Sequence, residues 1–177
     1  ARMYRELLMA AADGRRFVEK TPEWNAAHLR FLHELFPDAY YVLIYRDGRN
    51  YVASLEAMKV SEQREFDFAA SCRRWARMME VFADIRSTRP IRRFTVIRYE
   101  DLLQDFQARF AELCRFTAIR PFRPEPHPPN TFFSAKHTPE DFTSRWRSWP
   151  AEKRLTFKQL AGRQLVASGY VESDDAW

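Results

Sequence analysis

The chain has 177 residues, with 29 Lys and Arg against 24 Asp and Glu and a formal charge of +5. That length suits one domain with a real core, and so mild an excess, with no dense Lys/Arg run, argues against a nucleic-acid partner while suiting an anionic ligand. The 15 Phe, 7 Tyr and 5 Trp exclude a disordered chain, and no apolar run approaches the roughly 20 residues of a membrane span.

Residues 3–12 read as a helix with Met3, Leu7, Leu8 and Ala11 on one face, stopping near Gly14. Phe17-Val18-Glu19 is a short strand candidate leading into Lys20-Thr21-Pro22. Trp24, Ala27, His28, Phe31, Leu32, Leu35 and Phe36 then repeat at helical spacing up to Pro37-Asp38. His28 lies on that apolar face and reads as a core histidine. Tyr40 to Tyr45 is an unbroken apolar and aromatic run, the pattern of a strand buried on both faces of a parallel sheet. It ends at Arg46, the N-cap candidate Asp47 and a polar turn, after which Tyr51, Val52, Leu55 and Met58 resume helical spacing. Residues 17–58 thus form a β-α-β-α run, which implies a parallel sheet with right-handed crossovers.

Phe68, Cys72, Trp75, Met79 and Phe82 mark a long helix whose other side carries Arg73, Arg74 and Arg77, best read as a solvated face. Arg93–Tyr99 is the next strand, followed by helices near 101–106 and 107–118. Pro121 to Pro129 reads as an extended loop. The tail carries Trp146, Trp149 and a helix from about 151 to 167, ending near Gly169-Tyr170. No internal repeat and no second domain is visible, so residues 1–177 are expected to form a single α/β domain. Cys72 and Cys114 lack CxxC spacing and read as buried, reduced thiols, which points to a cytoplasmic setting; no signal peptide is visible.

Chemistry gathers at two strand ends. In an open α/β sheet ligands bind at the carboxyl ends of strands. Arg46 there, with the hydroxyl of Ser54 two turns along the next helix, suits a phosphate through paired charged donors. A salt-bridged Arg46-Asp47 turn and a surface serine are the plainer alternatives. Glu19-Lys20 follows the earlier strand candidate, and a lysine there can meet charge that develops during group transfer. Plain loop charges would look the same in isolation.

Glu19-Lys20-Thr21-Pro22, then Phe36-Pro37-Asp38-Ala39, then Arg46-Asp47-Gly48-Arg49-Asn50-Tyr51-Val52-Ala53-Ser54 resemble, in order and spacing, the EKTP, FPDA and RDPRDVxxS segments of the sulfotransferases that use 3'-phosphoadenosine-5'-phosphosulfate. Arg98-Tyr99-Glu100-Asp101-Leu102 is similar to their RYEDL segment, and Ser144-Arg145-Trp146-Arg147 with Gly169-Tyr170 to the tail of the bacterial members. The resemblance spans residues 17 to 170. It implies a three-layer α/β sandwich related to the P-loop kinases, with no metal. It also implies transfer of a sulfonate to a hydroxyl or amine by in-line displacement, releasing adenosine 3',5'-bisphosphate. Arg46 and Ser54 match positions that hold the 3'-phosphate, Tyr99 a position near the adenine, Arg145 a basic residue of the late cofactor-covering loop, and Lys20 the lysine beside the transferring sulfonate. Pro22 stands where one branch carries its His base; Glu19 is the choice for general base over Glu23 and His28.

Two features depart from the pattern. Gly48 replaces the usual Pro, which also suits a turn before a helix. Nothing in residues 1–16 resembles the first strand and its Gly/Ser-rich loop, which cradles the 5'-phosphosulfate, so the expectation is the C-terminal part of a longer enzyme. The alternatives are a natively short, inactive nucleotide-binding module and a P-loop small-molecule kinase, although no GxxxxGK[ST] is present. The acceptor, whether small molecule, glycan or lipid, is not legible. Phe132, Phe133, Phe142 and Trp146 suit an acceptor pocket and a core equally.

Overall fold

A computed structural model describes residues 2–20, 26–88, 91, 93–122 and 143–173. The expectations for Thr21 to Trp24, most of the proline-rich loop, Phe132, Phe133 and Phe142 lie outside them. The described chain is α/β and mostly helical, with a parallel sheet formed by β1 (Tyr41–Tyr45) and β2 (Phe94–Arg98). It divides into two compact units, Ala1–Tyr41 with Glu80–Phe94, and Val42–Met79 with Thr95–Trp177.

In the first unit, α1 (Arg2–Ala12) buries Ala12, while Met3 and Leu7 of its expected apolar face stand 73% and 62% exposed. Helix α2 (Ala26–Leu35) buries Leu35 of its expected face and also Leu29, which lay off that face, while Phe31 of the face is 39% exposed. The turn after it is fastened by the Tyr41 hydroxyl, which donates to the Phe36 carbonyl at 3.0 Å. Arg93 supports the same turn, donating to the Asp38 carbonyl at 2.7 Å and lying 4.9 Å from the centre of the Tyr40 ring. Phe17-Val18-Glu19 is not a strand. Phe17 docks edge-on against Phe36 with ring centres 5.8 Å apart, Val18 is 89% exposed, and among the described residues no strand pairs with this segment. Without a ladder partner, extended backbone is only solvated chain.

The second unit holds α3 (Gly48–Ser61), the start of α4 (Phe68–Thr88), α5 (Tyr99–Gln104), α6 (Phe106–Phe116), the 3₁₀ turn Arg145–Ser148 and α7 (Ala151–Ala167). The core is Val52 and Ala53 of α3, Cys72, Trp75 and Ala76 of α4, and Phe157, Ala161 and Leu165 of α7, closed by Trp149. The α7 contribution is an i, i+4, i+8 stripe, the helical period written into one face. Trp75 and Phe157 are fully buried with ring centres 6.0 Å apart; burying side chains of this size contributes about 1.5–3 kcal/mol each. Arg73 and Arg77 are exposed, as a solvated face requires, and both cysteines are buried and free.

Strand β1 departs from the two-sided burial expected of it. Tyr41 and Leu43 are buried, but Ile44 is 49% exposed, so the face of β1 that carries it is open at that position among the described residues. Helix α7 closes on Gly169 at φ +73°, with the Gly169 and Tyr170 amides donating to the Val166 and Leu165 carbonyls at 2.9 and 3.1 Å. That left-handed residue turns the chain back toward the sheet and delivers Tyr170 beside Tyr45, ring centres 6.0 Å apart.

Candidate functional site

The site is built where β1 runs into α3. Asp47 caps the helix, its carboxylate accepting from the Arg49 amide at 2.8 Å and pairing with the Arg49 guanidinium at 2.6 Å. Both side chains are buried, so the pair locks the turn rather than decorating it. Asp47 therefore serves Arg49, and its charge also acts on Arg46. Gly48 has a steric reason for being glycine: a Cβ there would lie 2.4–2.6 Å from three atoms of the Trp75 indole. The same indole donates its N–H to the Arg46 carbonyl at 3.1 Å, fixing the backbone of the strand end.

From that fixed backbone the Arg46 guanidinium donates to the Asn50 carbonyl and lies 5.5 Å from the centre of the Tyr99 ring. Ser54, half-buried, stands one helical turn beyond Asn50 and so on the same face of α3. Burial holds Arg46 below the ordinary arginine range; Tyr99, Glu100 and Asp47 oppose that shift, while the positive charge of Arg145 adds to it. The guanidinium keeps its charge in any case. Arg145 thus adds a second positive charge that acts on Arg46.

Glu100 ties the site to the end of the chain. One carboxylate oxygen accepts from the Asp47 amide at 3.0 Å, the other from the Tyr170 hydroxyl at 2.9 Å. Arg98 stacks over Tyr170 at 4.3 Å and donates to the Gly169 carbonyl at 3.2 Å. Burial raises the pKa of Tyr99, with Arg46 opposing, and burial followed by the Glu100 charge raises that of Tyr170. Both phenols are therefore neutral donors and aromatic surfaces at neutral pH.

The structure brings together Arg46, Tyr99 and Arg145, with Ser54 on the adjoining helix face. Glu19 and Lys20 lie exposed in the first unit, on the segment that follows Phe17. The sequence-level reading gave no role to Arg49, Asn50, Glu100 or Tyr170. Each stood inside a quoted motif, and that was the available signal. Trp146 packs against the core cluster under the Arg49 guanidinium, 4.1 Å from its ring centre, which favours the structural alternative for that residue.

A model of the sulfotransferase family matches residues 1–124. No curated protein matches. Among solved structures, the chain is similar to the sulfotransferase domain from the curacin biosynthetic pathway, at TM-score 0.63 and 20% identity, over 88% of this chain and 67% of that one. It is also similar to the sulfotransferase domain from the Synechococcus PCC 7002 olefin synthase, at TM-score 0.64 and 21% identity, over 91% of this chain and 62% of that one. The chain thus spans about two thirds of the length of the domains it resembles, and at this identity the likeness establishes the fold.

Proposed function

Because the chain belongs to the sulfotransferase family, we propose that it serves transfer of a sulfonate group from 3'-phosphoadenosine-5'-phosphosulfate to a hydroxyl or amine acceptor, and that Arg46 receives the nucleotide's 3'-phosphate. The observation that carries this reading is the Arg46 guanidinium, anchored at the end of β1 between the first turn of α3 and the Tyr99 ring, with Arg145 as a second cation near it. A phosphate matches that donor set in charge and in its demand for forked N–H groups. Ser54 supplies a hydroxyl from the same helix face, and Tyr99 a surface for the adenine.

In the reaction, the bond from sulfur to the acceptor atom forms as the bond to the bridging 5'-phosphate oxygen breaks. The electron pair leaves with adenosine 3',5'-bisphosphate, and the acceptor proton goes to a base. Lys20 is assigned to the charge that grows on the bridging oxygen and Glu19 to the proton; both are exposed on the segment that follows Phe17. This chemistry calls for no metal ion. The acceptor is a small molecule, glycan or lipid group, and the two buried thiols support a cytoplasmic setting.

The test is calorimetric titration with adenosine 3',5'-bisphosphate and with 5'-AMP, without Mg²⁺. Tighter binding of the bisphosphate is expected. Equal affinities for the two nucleotides, or none in a folded sample, would overturn the assignment.

A further inference from the structure

Arg145 sits on a 3₁₀ turn of one revolution. Its chain neighbours are held by consecutive residues in the first turn of α3. Asn50, 2% exposed, donates its side-chain amide to the Thr143 carbonyl at 2.7 Å, two residues before Arg145. Arg49, aimed by its buried pair with Asp47, stacks on the Trp146 ring at 4.1 Å, one residue after it. Arg154 of α7 also lies 5.9 Å from the centre of that ring and donates to the Trp149 carbonyl at 3.0 Å and to the Arg147 carbonyl. Arg145 is thereby gripped on both flanks by the very turn that issues from Arg46.

We propose that Arg49 and Asn50 are positioning residues: acting through Trp146 and Thr143, they set Arg145 beside Arg46 so that two guanidinium groups meet one phosphate. The inference rests on the 3'-phosphate reading and deepens it by assigning the pair that couples its two cations. The chemistry explains why these residue types stand there. Asn50 needs a side-chain N–H to hold a backbone carbonyl without adding charge beside two arginines. Arg49 needs a planar cation that accepts a carboxylate at its edge and an indole on its face, which lysine cannot do at once.

A thermodynamic cycle tests it. Affinities for adenosine 3',5'-bisphosphate and 5'-AMP are measured for the wild-type chain, Asn50→Leu, Arg145→Ala and the double variant. Arg145→Ala is expected to reduce the preference for the bisphosphate about tenfold in the wild-type background and less than about twofold in Asn50→Leu, with AMP binding little changed throughout. A purely structural role would weaken both nucleotides together and leave the two effects multiplying; that result overturns the proposal. If Asn50→Leu does not fold, Arg49→Lys carries the same cycle, keeping a charge for Asp47 but giving up the stacking. Amide exchange supplies a readout that needs no nucleotide. The Arg147 and Trp149 amides, which donate to the Ser144 and Trp146 carbonyls, are expected to exchange about tenfold faster in Asn50→Leu, and unchanged exchange overturns the clamp. A wild type with no preference for the bisphosphate would sink the cofactor reading and the phosphate role with it, whereas a normal preference with a multiplicative cycle would sink this inference alone.

Discussion

Gly48→Ala is a single-methyl change with a large expected consequence. The added Cβ would meet three atoms of the Trp75 indole at 2.4, 2.5 and 2.6 Å, where ordinary carbon contacts lie at about 3.5–4.0 Å. The overlap is therefore about 1 Å, and the neighbour is a rigid ring, fully buried against Phe157. Neither partner yields cheaply, so the overpacking falls toward the upper part of the usual range of about 1–3 kcal/mol. Moving the ring also stretches the indole bond to the Arg46 carbonyl, now 3.1 Å, worth about 1 kcal/mol. The sum is about 2–4 kcal/mol of lost stability, or roughly 4–16 °C in Tm for a chain of this size. Urea unfolding followed by tryptophan fluorescence reads it directly. Trp75→Leu, destabilising by itself, should make Gly48→Ala nearly neutral when the two are combined. A loss below about 0.5 kcal/mol in the single variant, or the same loss with and without Trp75, would refute the steric account of Gly48.

Alkaline stability follows from buried phenols. Burial pushes Tyr41 from 10.0 up to about 12, and Tyr170 is raised as well by burial and then by Glu100. The folded chain thus keeps protons that the unfolded chain releases above about pH 10, so stability is full below that pH and falls as pH rises through about 12. Urea midpoints measured from pH 9 to 11.5 should decline, and Tyr41→Phe should decline less steeply; a flat profile contradicts the burial argument. The thiols give a second check. Cys72 is fully buried with its pKa pushed up to about 12, and Cys114 is 3% exposed. A chromogenic disulfide reagent at pH 8 should therefore label neither in the native chain and both in urea; prompt native labelling would contradict the packing.

What the sequence disclosed, and what it withheld, divides by the range of the interaction involved. The start of α3 was legible because an N-cap and a change of period are local signals, and Asp47 caps where the pattern places it. The extent of α7 was legible too, expected from about 151 to 167 and found at Ala151–Ala167. Gly48 was not: the local pattern treats it as a turn residue interchangeable with proline, whereas its demand comes from Trp75, brought in by another helix. The burial expected on both faces of β1 failed at Ile44 because an apolar run does not say what packs over each face of a strand. The strand expected at Phe17-Val18-Glu19 failed for a related reason, since pairing is decided by a partner elsewhere in the chain. In the site, charge and motif order drew attention to Arg46, Tyr99 and Arg145. The contacts of Glu100 with the Asp47 amide and the Tyr170 hydroxyl join residues far apart in sequence, and no spacing rule encodes them.

The central claim is that Arg46 receives a 3'-phosphate, and the most direct measurement compares Arg46→Ala with the wild-type chain in the same pair of titrations. The account predicts that the variant loses about 1.5–3 kcal/mol of affinity for adenosine 3',5'-bisphosphate, the scale of a charge-assisted contact, and almost none for 5'-AMP. A loss shared equally by both nucleotides, or no loss at all in a folded variant, would contradict it.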